Sequence, residues 1–144
     1  MLKILIRYKF SILIALAILY LSLRPTVPDV FYLSETNKVV YQMENRTIDY
    51  LYFRDFFGHM SFYFLFSLSL FYESLKANKT MRTKVLLLLV VVFPILFGGL
   101  IELLQEFFFP PRAAEWADWM ADIAGCLFAY WVGKRLLHKY IVKR

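Results

Sequence analysis

Four long apolar stretches dominate this sequence and constrain its fold more than any other feature. They cover about residues 8–23, 53–75, 85–109 and 116–137. A helix needs about 20 apolar residues to cross the roughly 30 Å hydrocarbon core of a bilayer. Hydrophobic residues make up 60% of the 144-residue chain, more than a soluble domain of this length could bury. We therefore predict an all-α, four-helix transmembrane bundle that forms one domain over residues 1–144.

Basic residues cluster in three of the segments outside these stretches. The other two segments, between the first and second stretches and between the third and fourth, carry mixed charge. The positive-inside rule then places both termini in the cytoplasm. The net charge of +6 follows from this topology and from attraction to anionic lipid, so no nucleic-acid partner is expected. The clusters are Lys3, Arg7 and Lys9; Lys76, Lys79, Arg82 and Lys84; and Lys134, Arg135, Lys139, Lys143 and Arg144.

The segment between the first two stretches, about residues 24–52, is long enough to have its own structure. It contains VFYL, KVVYQM and TIDYLYF, which are rich in aromatic and β-branched residues. We predict an ordered outer loop, either a small hairpin or a segment that lies on the membrane. Its tyrosines, with Trp116 and Trp119, are typical of an interfacial aromatic belt, and a binding surface is the alternative.

Polar residues fall at the same predicted depth in three of the four stretches. Asp55, His59 and Tyr63 follow one another at four-residue steps and share one helix face. Charged groups in hydrocarbon are costly unless they face a protected interior. Small residues at 125, 129 and 133 turn the face that carries Asp118 and Asp122 toward the other helices. We predict an outward-facing pocket formed by Asp55, His59, Tyr63, Glu102, Gln105, Glu106, Arg112, Asp118 and Asp122.

The carboxylic acids of this pocket lie at the same depth, where the dielectric constant is low. They cannot all ionise without a compensating positive charge. Arg112 can pair with them, some carboxyls can stay protonated, or a divalent cation can bind. A purely structural polar clasp between helices is the remaining alternative. The candidate metal ligands are Asp55, His59, Glu102, Asp118 and Asp122.

The order of these motifs resembles that of the VanZ-like family of small bacterial membrane proteins. The matching residues are Ser22, Leu23 and Pro25 after the first stretch, Asp55, His59 and Tyr63, Glu102 and Gln105, and Arg112, Asp118 and Gly125. The chain departs from the pattern in Phe56 for Lys, Met60 for Phe and Asp122 for Asn, which together remove a cation and add an acid. The resemblance implies a multi-pass protein of the bacterial cytoplasmic membrane, linked to resistance to glycopeptide antibiotics, especially teicoplanin.

Three functions remain open on the sequence. The first is a pocket, surrounded by membrane lipids, that engages a lipid-linked cell-wall precursor or a lipoglycopeptide. The second is an intramembrane hydrolase or transferase, which would need activated water because no serine or cysteine nucleophile stands beside His59 in a recognisable motif. Its candidate catalytic residues are His59, Asp55, Glu102 and Asp118. The third is a structural or scaffolding role in the membrane.

Overall fold

A computed structural model of the chain shows four helical segments, α1 to α4, among the residues that it describes. The structure describes residues 6–23, 39–108 and 115–137, and of residues 39–54 and 137 it describes the backbone alone. Within these ranges every regular element is helical, which confirms the all-α part of the prediction. The segments are α1 (Lys9–Leu23), α2 (Val39–Ala77), α3 (Thr83–Phe108) and α4 (Trp116–Val132), which continues as a π-helical turn, Gly133–Leu137.

The helix bounds agree with three of the four predicted stretches to within two residues. The second stretch differs, because α2 begins at Val39 rather than near residue 53. VVYQM and TIDYLYF, from Val39 onward, therefore belong to a helix, and the alternative of a hairpin through these residues is wrong. The physical reason is the absence of Pro and Gly from Val39 up to Gly58, which lets the helix extend. Arg24 to Lys38, the rest of the predicted outer loop, lies outside the described residues.

One helix in the described part of the chain is long and apolar enough to cross a membrane. This is α3, which has 26 residues and contains an 18-residue stretch with a mean hydropathy of 2.7. It contains a π-helical stretch, Leu88–Val92, before the α-helix resumes at Phe93. Helix α1 is apolar but shorter, with 15 residues. The structure thus supports one membrane-spanning candidate.

The closest packing in the fold joins α2 to α4 through small residues. A Cβ atom on Gly125 would collide with the carbonyl oxygen of Met60. A Cβ atom on Gly133 would lie 2.7 Å from the ring of Phe71, and Ala129 between the two glycines is fully buried. The small-residue face of α4 therefore lies against α2, as the spacing predicted, and Asp118 and Asp122 extend the same face.

A buried carboxylate on α2, that of Glu73, forms hydrogen bonds with α1. This contact was not predicted from the sequence. Glu73 is only 3% exposed and accepts hydrogen bonds from the backbone N–H groups of Phe10 (2.9 Å) and Ser11 (3.2 Å). The Ser11 hydroxyl donates to the same carboxylate, at 2.5 Å, and lies 3.0 Å from the Ser69 hydroxyl. These N–H groups belong to the first turn of α1, where a helix has unsatisfied donors and favours negative charge. Glu73 therefore holds the start of α1 against the far end of α2.

Candidate functional site

His59 is the centre of a polar cluster where the end of α3 meets the start of α4. Its Nδ1 atom lies 3.1 Å from Asp122 Oδ1 and its Nε2 atom lies 3.5 Å from Asp118 Oδ2. The two aspartates are four residues apart on α4, so both point from one helix face toward α2. One imidazole thus contacts carboxylates through both of its nitrogen atoms.

The floor of the cluster is closed off from solvent. Asp122 is 1% exposed and Tyr63, one turn below His59 on α2, is also buried. A Cβ atom on Gly98 of α3 would lie 2.5 Å from Asp122 Oδ2 and 3.1 Å from the Tyr63 hydroxyl. At this close approach, an added methyl group on Gly98 would require the Asp122 carboxylate to shift. The sequence did not indicate this role, because the close approach is visible only once α3 and α4 are paired.

Glu102 is the residue through which α3 contributes to the cluster. It is 6% exposed, and its Oε2 atom accepts a hydrogen bond of 3.0 Å from the backbone N–H of Glu115, just before α4 begins. His59, Glu102 and Asp118 each offer one ligand atom, and these three atoms all lie within 4.8 Å of one another. The structure thus brings together four of the predicted site residues, His59, Glu102, Asp118 and Asp122, from three helices.

The other predicted site residues have different surroundings. Gln105 is buried, but its amide nitrogen donates to the carbonyl oxygen of Ser22 at 2.9 Å and so positions the end of α1. Asp55 and Glu106 are exposed, and Arg112 lies outside the described residues. Asp55 nevertheless lies near the rim of the cluster. Partial burial, together with the nearby charges of Asp118 and Asp55, raises the pKa of Glu115 above its ordinary value.

An apolar groove lies beside the cluster, between α3 and α4. Its volume is about 460 Å³, and Glu102 lines it as well as the cluster. The Trp119 indole forms one wall and is fixed by a 3.1 Å hydrogen bond from its Nε1 atom to the carbonyl oxygen of Ile95. The sequence predicted an interfacial position for Trp116 and Trp119 but not the groove, which needs the pairing of two helices. The lining residues are Leu96, Gly99, Leu100, Glu102, Leu103, Glu115, Trp116 and Trp119.

The chain was compared with profiles of known protein families, with curated proteins and with solved structures, and none of the three comparisons finds a match. The resemblance to VanZ-like proteins therefore depends on the motifs quoted above.

Proposed function

We propose that this chain is a VanZ-like protein of the bacterial cytoplasmic membrane that engages an amphiphile. Its ligand is a lipid-linked cell-wall component or a lipoglycopeptide, and its binding contributes to resistance to glycopeptides such as teicoplanin. The observation that carries the proposal is the contact between two unlike surfaces. An apolar groove and a carboxylate–imidazole cluster meet at Glu102. An amphiphile bound there would place its hydrocarbon chain in the groove and its headgroup at the cluster.

The groove suits the apolar part of such a ligand. Ligand pockets in proteins usually have volumes of about 300–1,000 Å³, mostly apolar walls and a few placed polar groups. The groove fits this description, with a volume of about 460 Å³, leucine and tryptophan walls, and the carboxylates of Glu102 and Glu115 as polar groups. A hydrocarbon chain lying along it would exclude water from these walls.

The cluster suits a headgroup that supplies hydrogen-bond donors. Ionised carboxylates only accept hydrogen bonds. Hydroxyl, amide and ammonium groups are therefore the natural partners of Glu102 and Asp118. Sugars and peptides offer these groups, and they occur in both kinds of proposed ligand. A headgroup that lacks donors would displace water from these carboxylates without replacing its hydrogen bonds, at a cost of about 1–3 kcal/mol for each.

We further propose that all four helices span the bilayer, with both termini in the cytoplasm. Large apolar side chains are exposed along α1, α3 and α4, for example Leu13, Leu96 and Phe128, as expected where lipid is the solvent. At the end of the bundle opposite the cluster, basic groups lie over aromatic rings. Such pairs are typical of a membrane–water interface. They are Lys9 over Phe10, Lys76 over Tyr72, Lys134 over Tyr130 and Arg135 over Trp131, at 5.0–5.6 Å.

Expression of the chain in a teicoplanin-sensitive bacterium tests the proposal. We expect the minimal inhibitory concentration of teicoplanin to rise. With His59→Ala or Asp118→Ala it should return to the value of the empty vector, because the cluster can no longer hold the headgroup. Membrane abundance is measured in parallel by immunoblotting.

Glu106→Gln is the matched control, because Glu106 is an exposed acid on α3 outside the His59–Glu102–Asp118 group. We expect this variant to retain full resistance. Unchanged resistance in both alanine variants at equal abundance would contradict a role for the cluster.

A further inference from the structure

We propose that His59, Glu102 and Asp118 bind a divalent transition-metal ion and that Asp122 orients the histidine. This inference goes beyond amphiphile binding, and neither activity requires the other. Imidazole and carboxylate oxygen are both ligands of zinc, manganese and iron in proteins. The three side chains come from three different helices, so such a site would also fix the arrangement of the bundle at this end.

The spacing of the ligand atoms fits a metal ion. With metal–ligand bonds of about 2.0–2.1 Å, two ligands of a tetrahedral ion are separated by about 3.4 Å. His59 Nε2 and Asp118 Oδ2 are 3.5 Å apart, close to that separation. The third ligand atom, from Glu102, lies within 4.8 Å of both, a gap that rotation of one carboxylate can close. Because a carboxylate has two oxygens, Glu102 can keep its hydrogen bond to Glu115 while it binds the ion.

The contact between His59 and Asp122 points to the same site. Asp122 is almost fully buried and accepts the hydrogen bond from Nδ1 at 3.1 Å. In a neutral imidazole this leaves a lone pair on Nε2, which faces the Asp118 oxygen. Two acceptors at this distance repel each other unless a hydrogen atom or a metal ion lies between them. A buried carboxylate behind a histidine is also the usual outer partner of a metal-binding imidazole.

The ligand set favours some ions over others. Mg²⁺ and Ca²⁺ prefer oxygen ligands throughout, whereas an imidazole suits zinc and the later first-row metals. We therefore expect Zn²⁺ to bind in preference to Mg²⁺. Three protein ligands leave a coordination position for water or for a ligand oxygen, as in catalytic zinc sites.

A bound metal ion would widen the range of headgroups that the site can bind. Alone, the carboxylates favour hydrogen-bond donors and disfavour a phosphate group. A bound cation attracts phosphate or carbonyl oxygen and polarises it. Glu102 lies both in the metal-ligand group and in the groove wall, so an amphiphile in the groove would have its polar end near this ion.

Metal titration of the purified full-length chain tests the inference. The protein is stripped with a chelator in detergent, and Zn²⁺ alone is titrated by calorimetry, with the bound metal counted by elemental analysis. We expect one ion per chain and no binding of Mg²⁺. Glu102→Gln and Asp118→Asn should abolish the binding, and Asp122→Asn should weaken it by about 10- to 100-fold, as loss of an outer-shell partner does.

Glu106→Gln is again the matched control and should bind zinc as tightly as the unchanged chain. Circular dichroism and gel filtration show whether each variant keeps its helical fold. Equal zinc affinity in the unchanged chain, Glu102→Gln and Asp118→Asn would overturn the proposal. So would the lack of any zinc binding by the folded, unchanged chain. Neither result bears on the binding of a hydrogen-bonding amphiphile.

Discussion

His59→Leu is expected to destabilise the metal-free protein by about 1–3 kcal/mol, the usual cost of leaving a buried hydrogen-bond acceptor without its partner. The reason is the carboxylate left behind. Asp122 is almost fully buried, and its Oδ1 atom accepts the hydrogen bond from His59. Without the imidazole this carboxylate keeps its burial but loses that partner. The free energy of unfolding in mixed micelles, measured against denaturing detergent, gives the size of the effect.

A second substitution separates the loss of this polar contact from simple loss of packing. Asp122→Asn removes the carboxylate while it keeps the size of the side chain. In the double variant we expect at least half of the lost stability to return, because no unpaired charge remains. If His59→Leu costs no more in the unchanged chain than in a chain that already carries Asp122→Asn, the two side chains are not energetically coupled.

Gly125→Ala is expected to cost about 1–3 kcal/mol, the range for overpacking a tight interface. The added methyl group would meet the carbonyl oxygen of Met60, and the backbone N–H of Phe64 at 3.0 Å. Backbone atoms cannot move aside by a change of rotamer, so α4 must shift away from α2. Because Asp122 is one turn earlier on α4, the same shift should weaken its contact with His59.

Gly58→Ala is the matched control, since it makes the same change on α2 one residue from His59. An added Cβ atom at Gly58 meets nothing within 4 Å. We expect a neutral effect or a gain of about 0.5–1 kcal/mol, the helix propensity difference between alanine and glycine. Thermal unfolding in detergent measures both variants. Equal stability changes in the two would show that the packing at Gly125 is not limiting.

The bounds of α1, α3 and α4 could be predicted from the sequence because apolar length and proline fix them. Pro25 follows α1 and Pro110 follows α3. The start of α2 could not be predicted, since polar and aromatic residues before residue 53 end the apolar stretch without ending the helix. Mean hydropathy indicates whether a segment prefers lipid or water. The end of a helix depends instead on residues such as proline and glycine that break its backbone hydrogen bonding.

The polar cluster was predictable in part for a similar reason. Four-residue spacing put His59 on one face of α2 and both aspartates on one face of α4, and an antiparallel order brought those faces to one level. Which pairs touch depends on helix rotation, so the contact of His59 with Asp122, rather than with Asp55, needed the structure. Glu73 was missed because its hydrogen-bond partners at the start of α1 are 62 and 63 residues away along the chain.

Fluorescence quenching of Trp119 tests amphiphile binding most directly. The chain has three tryptophans, so Trp116→Phe with Trp131→Phe leaves the groove residue Trp119 as the only one. The probe is an aminosugar amphiphile with a brominated acyl chain, added at low mole fraction to nanodiscs of unbrominated lipid. We expect saturable quenching, with affinity lost on His59→Ala. With the metal-free protein, a chain-matched phosphocholine should quench only in proportion to its concentration. Identical, unsaturable quenching by both amphiphiles, unchanged by His59→Ala, would contradict the proposed function.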